Sequence, residues 1–445
     1  MRSAAIEKMS HHDVPQATFE MPGLAWSEHC YLVAVALAAL VAVDPLGWKL
    51  NGDPLFKHLP IMLTLPALVL TVIGRRLSMP PGHKSGVGRI LAVAWPFALL
   101  TMLIVGGSLY ARLFNGVQTT FLSVGLYMSL VFVSATMLIF SEAPLQLIRA
   151  HCRILLVGAF VMSCLLMINL GVREVYHEQI FLLIPMGVFC VLAWRRQSAA
   201  WGGLVFFLAM ALPSAKNTSY LVDLLVVVYL ALLLWFPKFK AAPPITRMWG
   251  YYLAFVAMLI MAAGVLFLLY YREHYLPSGN VEYRSHTYGL AWGQFLESPL
   301  WGTLFAAESV KKFTLYSIGI AGGRLPTHSD VMDLLAHGGS LGTGLWLLGL
   351  GMIGLFAYKN LLSPKFIAHP LAPYAHTMAA LSLAGVLTYA FNPIMLQPGM
   401  AYLLWTNLGM LLGLALCKEK LKTGHLFITD SASNQTTKGQ GKTQT

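Results

Sequence analysis

The chain is a succession of apolar blocks, each about 18–22 residues long, separated by short polar breaks. A block of that length, coiled as a helix, spans the roughly 30 Å hydrocarbon layer of a bilayer. The blocks predict helices over 29–46, 58–75, 90–110, 119–140, 153–172, 176–194, 199–213, 219–236, 250–271, 340–358, 372–390 and 399–417, about twelve in all. Only 11% of the residues are charged, against about 25% in a soluble domain. That deficit excludes an ordinary globular protein and predicts an all-α integral membrane domain.

The basic residues orient it. With the N-terminus in the cytoplasm, about two thirds of the 30 Lys and Arg fall in inner segments, as the positive-inside rule expects. These include Arg75 and Arg76, Arg149 and Arg153, Arg195 and Arg196, and Lys238, Lys240 and Arg247. Both termini are therefore expected in the cytoplasm. The net charge of +12 is read as orientation and contact with anionic lipid, not as a nucleic-acid surface. Cys30, Cys152, Cys164, Cys190 and Cys417 form no CxxC or Cys/His spacing and read as small buried hydrophobes. The segment before the first helix carries His11, His12, Asp13 and Pro15 without an apolar run, so no cleavable signal peptide is expected.

The expected organisation is a cytoplasmic N-terminal segment at 1–28, helices one to nine over 29–271, a long outer loop at 272–339, helices ten to twelve over 340–417, and a disordered cytoplasmic tail at 418–445. The loop far exceeds the usual connection length. It carries aromatic and apolar residues together with Arg284, Arg324, His328, Asp330 and Asp333, so it is expected to fold onto the bundle and to carry function.

Its end, Thr327 to Gly339, reads as a short helix capped by Thr327, Ser329 or Asp330. Met332, Leu335 and Ala336 fall on one face, and Gly338 or Gly339 stops it. His328 then stands at the helix start. The dipole there favours neutral imidazole, which can accept a proton from a hydroxyl nucleophile; the blander reading is a capping or packing histidine. Arg284, Arg324 and Lys216 are outer-side cations suited to phosphate, or to snorkelling towards headgroups. Asp223 lies in an apolar run and is a candidate by its cost alone. No HExxH, paired-carboxylate or P-loop pattern is present in the sequence, so no metal, cofactor or nucleotide site is expected.

Several of these residues fall into a pattern. The O-antigen ligase and O-antigen polymerase superfamily of bacterial membrane glycosyltransferases ends its late outer loop in His-Asn-x-x-Leu-x-x-Leu-x-Glu-x-Gly-x-x-Gly. Here His328, Met332, Leu335, Gly339 and Gly342 keep that spacing, and Ser298-Pro299-Leu300-Trp301-Gly302 resembles the family's Asn-Pro-Leu-x-Gly. Arg284 stands where the family has an arginine before that segment. Three departures accompany the resemblance: Ser329 replaces Asn, His337 replaces Glu, and Lys216 stands near the family's Ser-Arg-Gly.

The resemblance implies an active site at the periplasmic surface of the bacterial inner membrane. The donor would be an undecaprenyl-diphosphate-linked glycan, and an acceptor such as lipid A-core would attack its anomeric carbon without a metal. His328 would act as base or acceptor orienter. Arg284 and Arg324 would hold the diphosphate with help from Lys216, and Asp330 and Asp223 are supporting candidates. Ligase chemistry is favoured over the polymerase and protein oligosaccharyltransferase alternatives. A transporter or flippase is the competing class, and it expects broken helices with paired intramembrane charges.

Overall fold

The computed structural model describes residues 23–45, 50, 53–78, 85–116, 121–168, 184–193, 202–206, 221–231, 233, 279–306, 312–315, 320–324, 329–362, 371–391 and 397–423. In chain order the helices are α1 (Trp26–Val43), α2 (Pro54–Ser78), α3 (Ser85–Phe114), α4 (Phe121–Met128), α5 (Leu130–Phe140), α6 (Pro144–Ile168) and α7 (Ile184–Ala193). They continue with α8 (Leu221–Ala231), α9 (Gly279–Glu297), α10 (Asp330–Ala357), α11 (Ala372–Phe391) and α12 (Pro398–Thr423). A two-stranded antiparallel hairpin, β1 (Lys312–Leu315) and β2 (Ile320–Arg324), lies between α9 and α10.

Among the described residues, seven segments are long and apolar enough to cross a membrane: α1, α2, α3, the α4–α5 pair, α6, α10 with its π-helical extension to Leu362, and α12. The protein is a helical, multi-pass membrane protein. The expected helix over 250–271 lies outside the described residues, as does most of 199–213.

The centre of the bundle is α12, which is almost wholly enclosed. With little hydrophobic drive between helices in lipid, close backbone approach and buried hydrogen bonds hold such elements together. Gly409 and Gly413, one turn apart, sit against Val131 and Ala135 of α5, where a β-carbon would collide with backbone. Gly399 lies equally close to Ala38 and Ala42 of α1. Asn407 donates to Met378 O at 2.7 Å and to Ser382 Oγ at 2.9 Å, tying α12 to α11. By contrast α2 and α3 leave most of their surface outward, as lipid-facing helices do. The five cysteines are free thiols, with Cys152, Cys190 and Cys417 buried.

Several boundaries differ from the sequence expectation: α12 runs to Thr423, into the expected disordered tail at 418–445, and three others differ for a local reason. α6 begins at Pro144 rather than near residue 153, because proline is suited to the first helical turn and Ser141 Oγ accepts from Ala143 N at 3.1 Å. The expected helix 119–140 is broken at Ser129, whose hydroxyl turns back to Leu126 O at 2.6 Å. The short helix expected before Gly339 and the membrane helix expected at 340–358 form the single element α10, broken but not ended at Gly339 (φ 61°, ψ −163°).

Candidate functional site

The described residues of 272–339 form α9, a turn, the β1–β2 hairpin and the start of α10. α9 leads into a compact turn over Ser298–Phe305, and this turn locks onto the break in α10. The left-handed conformation of Gly339 interrupts the helical hydrogen bonds, and the turn supplies replacements. Ser340 N donates to Pro299 O at 2.8 Å, Leu341 N to Leu300 O at 3.1 Å, and Ser340 Oγ to Pro299 O at 2.9 Å. In return Phe305 N donates to His337 O at 3.1 Å.

Two glycines make the approach possible. Gly302 has φ 58°, and a β-carbon there would lie 2.6 Å from the His337 carbonyl carbon. One on Gly339 would lie 2.5 Å from Leu300 O. Both have a positive φ, which glycine adopts without a Cβ penalty. The lock is seated on the bundle by Phe305, buried against Phe121 at 5.3 Å, and by Gly107 of α3, which lies against the Leu304 carbonyl.

His337 sits inside this lock, 4% exposed. Its Nδ1 is 3.0 Å from Thr303 Oγ1 and 3.3 Å from Gln294 Nε2. An amide nitrogen only donates, so Nδ1 is the acceptor and the ring proton belongs on Nε2. The ring also packs on Phe121 at 4.6 Å. His337 is therefore a structural tie between α9, the turn and α10.

The second group lies at the start of α10. Ser329 is its N-cap: Oγ accepts from Met332 N at 3.3 Å and donates to Ala390 O of α11 at 2.7 Å. Asp330 and Asp333 occupy the first turn, where negative charge complements the helix dipole. The face that α10 buries here carries Asp330, Asp333, Leu334 and His337, while Met332 and Leu335 are only half-buried. Of the apolar residues expected on one face, Ala336 is buried with the carboxylates.

Across from them, Arg284 and Tyr288 stand one turn apart on α9, both half-buried. Burial chiefly pushes the Tyr288 hydroxyl above its ordinary pKa. Arg284 and a hydrogen bond with Ser329 act in the opposite direction, and Asp333 adds to the rise. Tyr288 is thus a neutral phenol at physiological pH, poised between a guanidinium and a carboxylate.

Of the residues singled out from the sequence, Arg284 and Asp330 belong to this one region. Arg324 ends β2 and pairs in register with Lys312, with only its backbone described. His328 and Lys216 lie outside the described residues. Asp223 is held elsewhere. It lies on α8, whose Tyr229 hydroxyl meets His376 Nδ1 at 2.5 Å near the start of α11. His376 is about 20 Å along that helix from Ala390, whose carbonyl accepts from Ser329 at the start of α10. Sequence reasoning missed Tyr288 and Tyr389 as members of the region and did not pair Asp333 with Asp330. The i, i+4 spacing of Arg284 and Tyr288 and the i, i+3 spacing of the two aspartates were the available signals.

A scan against protein-family models finds no match, and a search of curated proteins finds none either. The class is set by the fold alone: a multi-pass helical membrane protein.

Proposed function

We propose that this protein transfers a glycan from a polyprenyl diphosphate to an acceptor hydroxyl at the periplasmic face of the bacterial inner membrane, in the manner of an O-antigen ligase. The observation that carries the reading is the pairing of α9 with the first turn of α10. Arg284 and Tyr288 face a helix start whose cap is Ser329, and His328 is the residue immediately before that cap. The reading joins a cation suited to a leaving diphosphate to an imidazole, one residue before the cap in sequence, that is suited to a hydroxyl proton.

Two further points support it. The Pro-Leu-x-Gly and Gly-x-x-Gly segments, which carry the resemblance to the O-antigen ligase and polymerase superfamily, bond to each other across more than thirty residues of chain, through Pro299, Leu300, Ser340 and Leu341. And the substitution of Ser329 for the family's asparagine keeps the role that its position has here, since serine and asparagine are both strong N-caps.

In the proposed reaction the acceptor oxygen bonds to the anomeric carbon as the bond from that carbon to the diphosphate oxygen breaks. His328 takes the hydroxyl proton. Arg284, with Arg324 and Lys216, neutralises the departing diphosphate, so the protein's own cations meet the charge that develops. The test is the glycan profile of a deletion strain. Full-length glycan stranded on the polyprenyl carrier supports a ligase, whereas single repeat units on lipid A-core point to a polymerase. An unchanged profile removes the protein from glycan assembly.

A further inference from the structure

Trp292 and Leu296 stand one turn apart on α9, on the side opposite to Thr287, Ala291 and Gln294, which are buried. Both are exposed, and so are Leu300, Trp301 and Leu304 in the turn that follows. From Trp292 to Ala306 the sequence carries one charged residue, Glu297. An exposed apolar group of this size, outside the seven membrane-spanning segments, marks a surface that meets a partner or a membrane.

Two neighbouring helices give its depth. Gly107 of α3 lies against the Leu304 carbonyl. From there α3 runs on to Phe114, about 10 Å further, and Leu109, Tyr110, Leu113 and Phe114 on that stretch are all exposed. The turn is therefore level with a part of α3 that still presents apolar side chains outward. α10 gives the same level. Ser340 and Leu341 bond to the turn. From Gly339 to Leu362 the helix measures about 35 Å, enough to cross the hydrocarbon layer without the segment before Gly339. The turn thus meets α10 at the edge of that layer. Irregular backbone at such a depth must satisfy its own polar groups, and this turn largely does. Ser298, Gly302, Leu304, Phe305 and Ala306 donate their N–H groups to backbone carbonyls, and Pro299 has none to satisfy.

We propose that the C-terminal half of α9 and the Ser298–Phe305 turn form a foot seated in the interface of the bilayer, where lipid covers Trp292, Leu296, Leu300 and Trp301. Lipid is the occupant because the patch continues the outward, lipid-facing surface of α3 across the contact between Gly107 and Leu304. The side chains agree with that depth. Tryptophan suits the boundary, where its ring meets acyl chains and its N–H meets water and headgroups. The N-terminal half of α9 differs: Ser285 and His286 are exposed there, so the helix leaves the lipid as it nears Arg284. Seating one end of α9 fixes the depth of its whole pairing with α10. The foot does not depend on the reaction proposed above.

The experiment uses the full chain in nanodiscs of phosphatidylcholine and phosphatidylglycerol, spin-labelled at single cysteines in a background without native cysteines. Labels at Leu296→Cys and Leu300→Cys should collide more often with oxygen, which concentrates in lipid, than with a water-soluble nickel chelate. A label at His286→Cys should show the reverse order. The chain with its native cysteines gives a second reading. Quenching of its tryptophan fluorescence by phospholipid brominated high on the acyl chains should fall when Trp292→Phe and Trp301→Phe are combined. Both tryptophans are exposed, so the thermal midpoint of that variant should match wild type. More frequent collision with the nickel chelate at the two leucine positions, or quenching unchanged in the folded tryptophan variant, would overturn the proposal. Labels at those positions shielded from both reagents would assign the patch to a second copy of the chain or to another protein, and would overturn it equally.

Discussion

Arg284 and His337 both belong to the region between α9 and α10, and their environments assign them opposite roles. Arg284 is half-buried and shares a face of α9 with Tyr288, so its guanidinium can reach a ligand. Arg284→Ala is expected to lose about 100- to 1,000-fold in transfer rate, the usual cost of one electrostatic donor to a developing charge. Arg284→Lys should recover part of it, because the charge returns without the planar fork. Near-normal transfer by the alanine variant, per folded molecule, would exclude Arg284 from the reaction. His337 is enclosed by Thr303, Gln294 and Phe121. His337→Ala should therefore lower stability by about 1–3 kcal/mol, through partners left unsatisfied, with specific activity unchanged. Denaturant unfolding beside a transfer assay separates the two effects. Arg284 was singled out in the sequence as a cation of the expected outer loop. The tie made by His337 was not, because it depends on Gln294 and Thr303, which lie 43 and 34 residues away.

At the scale of elements, the lock between the Ser298–Phe305 turn and α10 depends on two left-handed glycines. Gly302→Ala and Gly339→Ala each impose a positive φ on a side chain, costing about 1–3 kcal/mol, and also press a methyl group into backbone at 2.6 Å and 2.5 Å. Both should unfold at clearly lower denaturant. Gly344→Ala, in the same helix with nothing within 4 Å, should be neutral or stabilising by up to about 1 kcal/mol. Equal behaviour of the three would show that the lock contributes nothing. Ser329→Ala should cost about 0.5–2 kcal/mol by removing the cap of α10. That cap was legible, since a serine directly ahead of a helical pattern is a local signal. The continuation of α10 past Gly339 was not. A glycine at that spacing reads as a stop, and the helix resumes only because Pro299 and Leu300 accept the hydrogen bonds of Ser340 and Leu341. The inward carboxylates on α10 were hidden for a related reason. Apolar periodicity puts Met332, Leu335 and Ala336 on one face, whereas Asp330 and Asp333 are buried beside Ala336 and Met332 and Leu335 are only half-buried.

At the scale of the whole molecule, hydropathy was sufficient to recognise a multi-pass helical protein, because an 18-residue apolar window has few other uses. The orientation is a separate claim resting on charge. Single cysteines introduced near Gly279 and Lys311, in a background without native cysteines, should react with a membrane-impermeant thiol reagent in intact spheroplasts. Cysteines near Lys84 and Lys240 should not, and labelling of that second pair would reverse the orientation. The proposed function turns on His328, the residue before the cap of α10 and the one at which the sequence best fits the pattern it resembles. The deciding measurement is glycan transfer by purified protein in vesicles, from a lipid-linked donor to a defined acceptor, comparing wild type with His328→Ala. The account predicts that the variant loses roughly two to four powers of ten in rate while donor binding persists through the cations. A folded His328→Ala protein that transfers at the wild-type rate would contradict it.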